Sequence, residues 1–438
     1  MAFAVFNIYL GVSPAFIGTA LMVNRLWDAA SDPFFGWLSD NTRTRFGRRR
    51  PYLLFGGIAA GLGLPLLFFF ISPTWSEEQI IAYMLVSSMI YVPLMSSFNM
   101  AFQSLGNEMT PDYDERTSVM SFKGAIQKIT EIGNFCALQF ASMAIFNDAT
   151  GRTNTLRGMQ VYTGILGGIM VLIAIVMFLS VRERYYAKVV ERNQEKVRLR
   201  EAFFETLKCK PFRIQMLFTL AYTLGGSMVG TLGYYATVYV VCGGNEKVGN
   251  TWNTWMGVAG SVGGILGATL IARLANKLGK RHAAILTCFA AYLVYASTWW
   301  LYNPTYQWMQ VVASGSIAFV CAGFIMLSCS MLADVMDYDE LNTGKRREGS
   351  FSACSSYTQK VGLSLGAGAA GWILAGTGFD SKLGGAQSAH AIFMIRFFLA
   401  AIPIMGITAA LFLVMKFPLT REKVAEIRKA LELKRGKV

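Results

Sequence analysis

Apolar stretches about as long as a bilayer is thick recur along this chain, and no other feature restricts its fold as strongly. A hydrocarbon core roughly 30 Å thick asks for about 20 apolar residues per helix. The sequence supplies such stretches at 15–38, 52–73, 79–107, 118–147, 159–182, 212–243, 249–276, 282–301, 308–333, 351–376 and 387–416. Lipid offers no partners for backbone N–H and C=O groups, so these segments must close their hydrogen bonds internally, as helices. The pattern predicts an all-α polytopic membrane protein with eleven full spans. The apolar run from Ala2 to Leu10 is too short to span and reads as the end of a twelfth, truncated first helix. Met1 opens directly into that run, so no cleavable signal is read there.

Composition agrees: 54% of residues are hydrophobic and 15% charged, against about 25% charged in soluble proteins. The net charge of +14 does not signal nucleic acid, because the cations are confined to particular loops. Arg43, Arg45, Arg48, Arg49 and Arg50 occupy the first, and Arg182 to Lys210 a long central one. Lys277, Lys280 and Arg281, then Lys345, Arg346 and Arg347, and the tail from Arg421 to Lys437 continue the series. The positive-inside rule places this side in the cytoplasm, with both termini inside if the first helix is complete. The setting expected is a bacterial inner membrane. The seven cysteines form no C-x-x-C pair and read as helix fillers, and His282 and His390 are isolated. No Ser/His/Asp set, metal cluster or nucleotide loop is visible, so neither an enzyme nor a cofactor is expected. The expected partners are the lipid bilayer and a small solute, with the chain a monomer.

The charged stretch 183–211 divides the apolar segments six and six. This predicts an N-terminal helix bundle over 1–182, a cytoplasmic central loop over 183–211, a C-terminal bundle over 212–416 and a cytoplasmic tail over 417–438. Within the loop, 185–207 reads as a linker or as an amphipathic helix on the membrane. An internal repeat supports two halves of one orientation. Gly36-Trp-Leu-Ser-Asp40…Gly47-Arg-Arg-Arg matches Leu270…Leu-Gly279-Lys-Arg, six spans later. Gly106-Asn-Glu-Met-Thr-Pro-Asp112 matches Ala333-Asp-Val-Met-Asp337 in the same way.

One apolar stretch carries charge where lipid should forbid it: Arg25-Leu-Trp-Asp28-Ala-Ala-Ser31-Asp32-Pro33. An ionisable side chain near a bilayer centre costs on the order of 2.5–3.5 kcal/mol on insertion scales. Spacings of three and four put Arg25, Asp28 and Asp32 on one helix face, which should look into a polar cavity. The alternatives are a buried structural ion network or a cation site. Two dry carboxylates four residues apart repel unless something neutralises them. Na⁺ is a hard cation that wants oxygen ligands, which Asp28, Asp32, Ser31 and Ser96 could supply. A proton needs only one receptive carboxylate, which desolvation and the neighbouring like charge both favour. Other polar and aromatic residues suited to a solute are Trp27, Asn99, Gln103, Tyr222 and Tyr357, against ordinary helix packing for each; Lys128, one turn from Glu131, reads as half of a local neutralising pair or of a solute-binding pair.

The loop Gly36-x3-Asp40…Gly47-Arg48-Arg49 resembles that between the second and third helices of the major facilitator superfamily. Together with Arg-x-x-Asp-x-x-x-Asp-Pro and the late Asp337-Tyr-Asp-Glu-x-x-Thr-Gly-x-Arg347, the chain resembles the narrower glycoside–pentoside–hexuronide:cation symporters, of melibiose permease type. The resemblance implies a fold of two six-helix bundles and cation-coupled uptake of a sugar, glycoside or hexuronide by alternating access. It implies Asp28 and Asp32 as the cation-site carboxylates, with Ser31 and Ser96 as neutral oxygen ligands. It implies Arg25 and Lys360 as charge-coupling residues. If the bundles rock about a midplane site, Asp40, Arg48, Arg49, Asp337 and Arg347 at the cytoplasmic turns read as gating latches, beside a topogenic role for the arginines. Asn99 and Gln103 depart from the acidic and aromatic residues of sugar-binding members. They keep open a non-sugar substrate, lipid-like or drug-like, or a non-transporting sensor on the same fold.

Overall fold

The computed structural model of the chain describes residues 5–42, 44, 46–47, 49–72, 74–108, 126, 130, 133–147, 154–181, 206–343 and 348–435. One π-helical turn, Val5–Tyr9, precedes α1 (Pro14–Asn41), α2 (Arg50–Phe69) and α3 (Glu77–Glu108). A helical stretch at 133–141 is α4, and α5 is Thr155–Ser180. After 208 come α6 (Lys210–Tyr235), prolonged by a π-helical turn Ala236–Val241, and α7 (Glu246–Leu278). They are followed by α8 (Lys280–Leu301), α9 (Met309–Thr343), α10 (Glu348–Gly376), α11 (Ala389–Met415) and α12 (Arg421–Arg435). The first part of the expected span 118–147, apart from residues 126 and 130, and the central loop up to 205 lie outside the described residues.

Among the described residues eight helices are long and apolar enough to cross a membrane: α2, α3, α5, α6, α7, α8, α9 and α11. The 28-residue α1 and 29-residue α10 have the length but not the apolarity. These two helices carry Asp28 and Asp32, and Lys360. Large side chains left uncovered by protein, such as Phe55, Leu179 and Met405, form the apolar exterior that lipid requires.

The chain divides into two compact units. One comprises Met1–Glu195 with Gly371–Ala375 and Asp380–Leu383; the other comprises Lys196–Ala370, Gly376–Phe379 and Gly384–Val438. The repeat read in the sequence is physical. Gly47 (φ 109°) ends the turn after α1, and Gly279 (φ 86°) the turn after α7, both in the left-handed region that favours glycine. Just past each glycine an arginine caps the last membrane-length helix described in its own unit. The Arg50 guanidinium donates to the carbonyl of Phe178 near the end of α5, and lies 4.7 Å over that residue's ring. The Arg281 guanidinium donates to the carbonyl of Met415, the last residue of α11. Both occupy carbonyls that a helix end leaves without an internal partner. The starts of α5, α7 and α11 are capped by Asn154, Asn245 and Ser388, which accept from backbone N–H groups at 3.0, 3.2 and 3.1 Å.

Lipid is as apolar as leucine, so helix pairs here depend on close backbone approach. In the first unit α2 meets α5 through Gly57 and Gly61 against Ala174 and Gly167; a Cβ on Gly61 would sit 2.7 Å from the Gly167 carbonyl. In the second, α7 meets α9 where a Cβ on Gly263 or Gly267 would collide with the carbonyls of Gly315 and Phe319. The second unit's core is aromatic. Phe212 meets Phe351 edge-on at 4.8 Å, and Phe218 meets both Phe324 and Phe417. Polar groups cross it as well: Gln215 donates to the Ser328 carbonyl at 2.7 Å, and the Thr219 and Ser328 hydroxyls lie 2.9 Å apart. The stretch expected as a simple tail holds α12, whose Val424, Ile427 and Leu431 pack into this core beside Phe417 and Leu419. Their spacing of three and four is a helical stripe, so the segment docks instead of remaining wholly solvated.

Candidate functional site

Helix α1 starts at Pro14, where a missing N–H costs nothing. Ser13 ties this start to α3, its N–H donating to Glu77 Oε1 at 2.6 Å. From there α1 packs along α3, burying Ile17, Ala20, Asn24 and Ser31. At the level of Ser31 the two helices join through oxygens. Ser31 Oγ and Ser96 Oγ are 3.0 Å apart, Ser96 Oγ donates to Asp28 Oδ1 at 3.1 Å, and Ser31 Oγ lies 3.0 Å from the Asp28 carbonyl. These three contacts have two hydroxyl protons to serve them, so one oxygen pair meets without a proton between. Such a cluster is rich in lone pairs, and a cation would relieve it. Ser31 and Ser96 are buried, and Asp28 and Asp32 are half-buried.

Of the cation residues read from the sequence, Asp28, Ser31 and Ser96 are thus brought together. Asp32 follows one turn on, and Arg25 is exposed one turn before. Among the described residues no group of three or more His, Cys, Asp or Glu could hold a metal ion, so an ion here would rely on serine and amide oxygens too. Lys360, on α10 of the second unit, is half-buried, and its carbonyl accepts from Ser364 Oγ at 2.6 Å.

The substrate candidates divide. Trp27 serves the backbone, its indole N–H donating to the Met89 carbonyl at 3.0 Å. That carbonyl would have received the N–H of residue 93 in an unbroken helix, but residue 93 is proline. Trp27 therefore satisfies a backbone group that Pro93 frees, while 41% of its surface stays uncovered. Asn99 is half-buried on α3 and Tyr357 is exposed on α10. Tyr222 does not line a cavity. It stacks on Phe324 with centroids 3.7 Å apart, and its hydroxyl meets Cys321 Sγ at 3.7 Å, inside the second unit's core. Lys128 and the Gln103 side chain lie outside the described residues.

Of the gating candidates, Arg48, Arg347 and the Asp40 side chain lie outside the described residues. Arg49 is 6% exposed, and its carbonyl receives the first N–H groups of α2. Asp337 is half-buried on α9. Sequence reasoning missed two features. Lys280 pairs with Asp334 at 2.7 Å and donates to the Ser330 carbonyl at 2.8 Å, clamping the start of α8 to α9. The signal for it is a lysine directly after Gly279, within the repeat. Asn24, 8% exposed, looks in the sequence like an ordinary helix position.

Comparison with known proteins gives this arrangement a context. Residues 5–421 match the family described as MFS/sugar transport protein. The chain is 27% identical over 431 residues to the uncharacterized symporter YnaJ of Bacillus subtilis, covering 96% of this chain and 88% of that one. It is 25% identical over 405 residues to the isoprimeverose transporter of Lactiplantibacillus pentosus, covering 90% and 79%. It is 23% identical over 460 residues to sodium-dependent lysophosphatidylcholine symporter 1 of Gallus gallus, covering 96% and 83%. Among solved structures, a bacterial homolog of the human lysosomal transporter Spinster superposes with a TM-score of 0.68 at 14% identity, covering 98% of this chain and 93% of that one. That likeness concerns the fold alone, which is the major facilitator fold. The chain is a multi-pass membrane transporter and not an enzyme, and it belongs to the MFS/sugar transport protein family.

Proposed function

We propose that this protein couples the downhill entry of a cation, Na⁺ in preference to H⁺, to the uptake of a sugar, glycoside or hexuronide across a bacterial inner membrane, its termini in the cytoplasm. The observation that carries this reading is the convergence of the Asp28 carboxylate with the Ser31 and Ser96 oxygens between α1 and α3. A hard cation is the ligand such oxygens select. The names of the relatives support symport, and the isoprimeverose transporter supports a sugar-type solute. Coupling follows from charge balance. An empty site holds surplus negative charge, and Arg25 and Lys360 are the proposed cations that balance it. Filling it releases them, and each ligand then raises the affinity of the other. One charge moving inward yields about 2.3 kcal/mol per 100 mV, enough for tens-fold accumulation. Asp40, Arg48, Arg49, Asp337 and Arg347 are the proposed gating residues at the cytoplasmic turns.

The test is uptake into sealed vesicles across a panel of labelled glycosides and hexuronides, with Na⁺ and pH gradients imposed separately. Concentrative uptake of a sugar driven by the Na⁺ gradient is the expected result. A second reading, a lipid-like amphiphile as substrate, draws on the neutral Asn99 of α3 and on the lysophosphatidylcholine symporter among the relatives. Uptake of labelled lysophospholipid with no sugar transported would decide for it.

A further inference from the structure

An asparagine one turn before Asp28 has no evident reason to be where it is. Asn24 is 8% exposed, and its amide oxygen Oδ1 is buried without a hydrogen-bond partner. Leaving a buried acceptor unmet costs about 1–3 kcal/mol, a cost that an ion bound beside it would repay. At 100° per residue, Asn24, Asp28 and Ser31 fall within about 60° of arc on α1. This is the face that packs against α3 and carries the serine–aspartate cluster. Helical side chains lean toward the N-terminus, so Asp28 covers surface over the turn that holds Asn24.

The inventory of oxygens points the same way. Ser31 and Ser96 offer hydroxyls, which are weaker dipoles than an amide carbonyl. A Na⁺ ion surrounded by Asp28, Asp32 and two hydroxyls alone lacks a strong neutral ligand. The amide oxygen of Asn24 is neutral, buried, unmatched and on the same face. We propose that Asn24 is a direct Na⁺ ligand, supplying the amide oxygen of the cation site and setting its preference for Na⁺ over H⁺. A proton would need no such group, since it binds one oxygen and not a shell. The inference rests on the cation-site reading above.

Equilibrium binding of ²²Na⁺ to the purified full chain in detergent separates the two claims without knowing the transported solute. Asp28→Asn should abolish binding; wild-type-like binding by that variant would overturn the cation site itself. Asn24→Leu, similar in size but without the oxygen, should weaken Na⁺ affinity about tenfold or more, since tenfold is ~1.4 kcal/mol of lost ligation. Asn24→Asp, which keeps an oxygen at the site, should hold Na⁺ affinity near or above wild type. A purely structural role predicts the opposite order, because a buried carboxylate is worse tolerated than leucine. Unchanged affinity in Asn24→Leu, together with loss in Asp28→Asn, would overturn the inference alone. Failure of the wild type to bind ²²Na⁺ would overturn it too, leaving a proton-coupled site. Thermal unfolding of each variant checks that it is folded, and Asn24→Asp keeps the test decisive if Asn24→Leu is not.

Discussion

The two units share a plan and spend their polar groups differently. In each, a positive-φ glycine turns the chain and the arginine just beyond it caps the last membrane-length helix described in the unit: Arg50 on Phe178, Arg281 on Met415. In the second unit one group of core-facing side chains answers itself, with the Gln215 amide N–H and the Thr219 hydroxyl on Ser328, and Tyr222 and Tyr295 on Cys321. In the first, the α1–α3 contact gathers more oxygens than protons, beside an amide oxygen with no donor. A polar group that answers itself acts as a scaffold, because nothing further can bind without breaking a bond. An oxygen-rich cluster suits a cation, and the proposed cation site accordingly falls in the first unit.

The largest break between the halves should come from charge. Asp28→Asn or Asp32→Asn is expected to abolish cation-driven accumulation in vesicles, a loss of the roughly tens-fold gradient that charge entry supports. Next comes close packing. Gly267→Val should drive a side chain into the Phe319 carbonyl. Overpacking of this kind costs about 1–3 kcal/mol, seen as a lower unfolding temperature with Na⁺ affinity intact in the folded fraction. A matched pair of serines sharpens the comparison further. Ser96→Ala should weaken Na⁺ binding about tenfold and change stability little, whereas Ser328→Ala should cost about 1 kcal/mol of stability and leave Na⁺ binding unchanged. Equal behaviour of the two variants in ²²Na⁺ binding and thermal unfolding would erase the distinction. The smallest effect belongs to Trp27→Phe. It removes the N–H that answers the carbonyl freed by Pro93, so stability should drop by about 1 kcal/mol with substrate affinity nearly retained. A large loss of substrate affinity would restore Trp27 to the binding site.

Much of this is legible in the sequence, for physical reasons. Spans announce themselves because lipid tolerates only long apolar helices, whereas the starts at Pro14, Asn154, Asn245 and Ser388 are set by capping chemistry that apolarity does not mark. Asp28 stands out because a carboxylate in an apolar stretch is costly. Ser31 and Ser96 are nameable by likeness, but their 3.0 Å approach depends on how α1 and α3 are aligned, which no local pattern encodes. The same alignment hides the role of Trp27: pairing it with Pro93 requires knowing that residue 27 lies level with residue 89. Tyr222 misleads because a tyrosine on a membrane helix looks the same in sequence whether it faces a cavity or stacks on Phe324. Asn24 escapes notice because a single amide carries no charge, and only its unmet burial sets it apart. The stripe of α12 is present at 424, 427 and 431, but the many charges around it make the segment read as solvent-exposed.

The account depends on an ion held by Asp28 driving the solute. The most direct test compares wild type and Asp28→Asn in sealed vesicles, once the panel has named a substrate, measuring both concentrative uptake under a Na⁺ gradient and exchange at equilibrium. The expected result is that Asp28→Asn loses accumulation yet still lets internal and external substrate exchange, showing a folded carrier cut off from its energy source. Accumulation by Asp28→Asn to the wild-type ratio would contradict it.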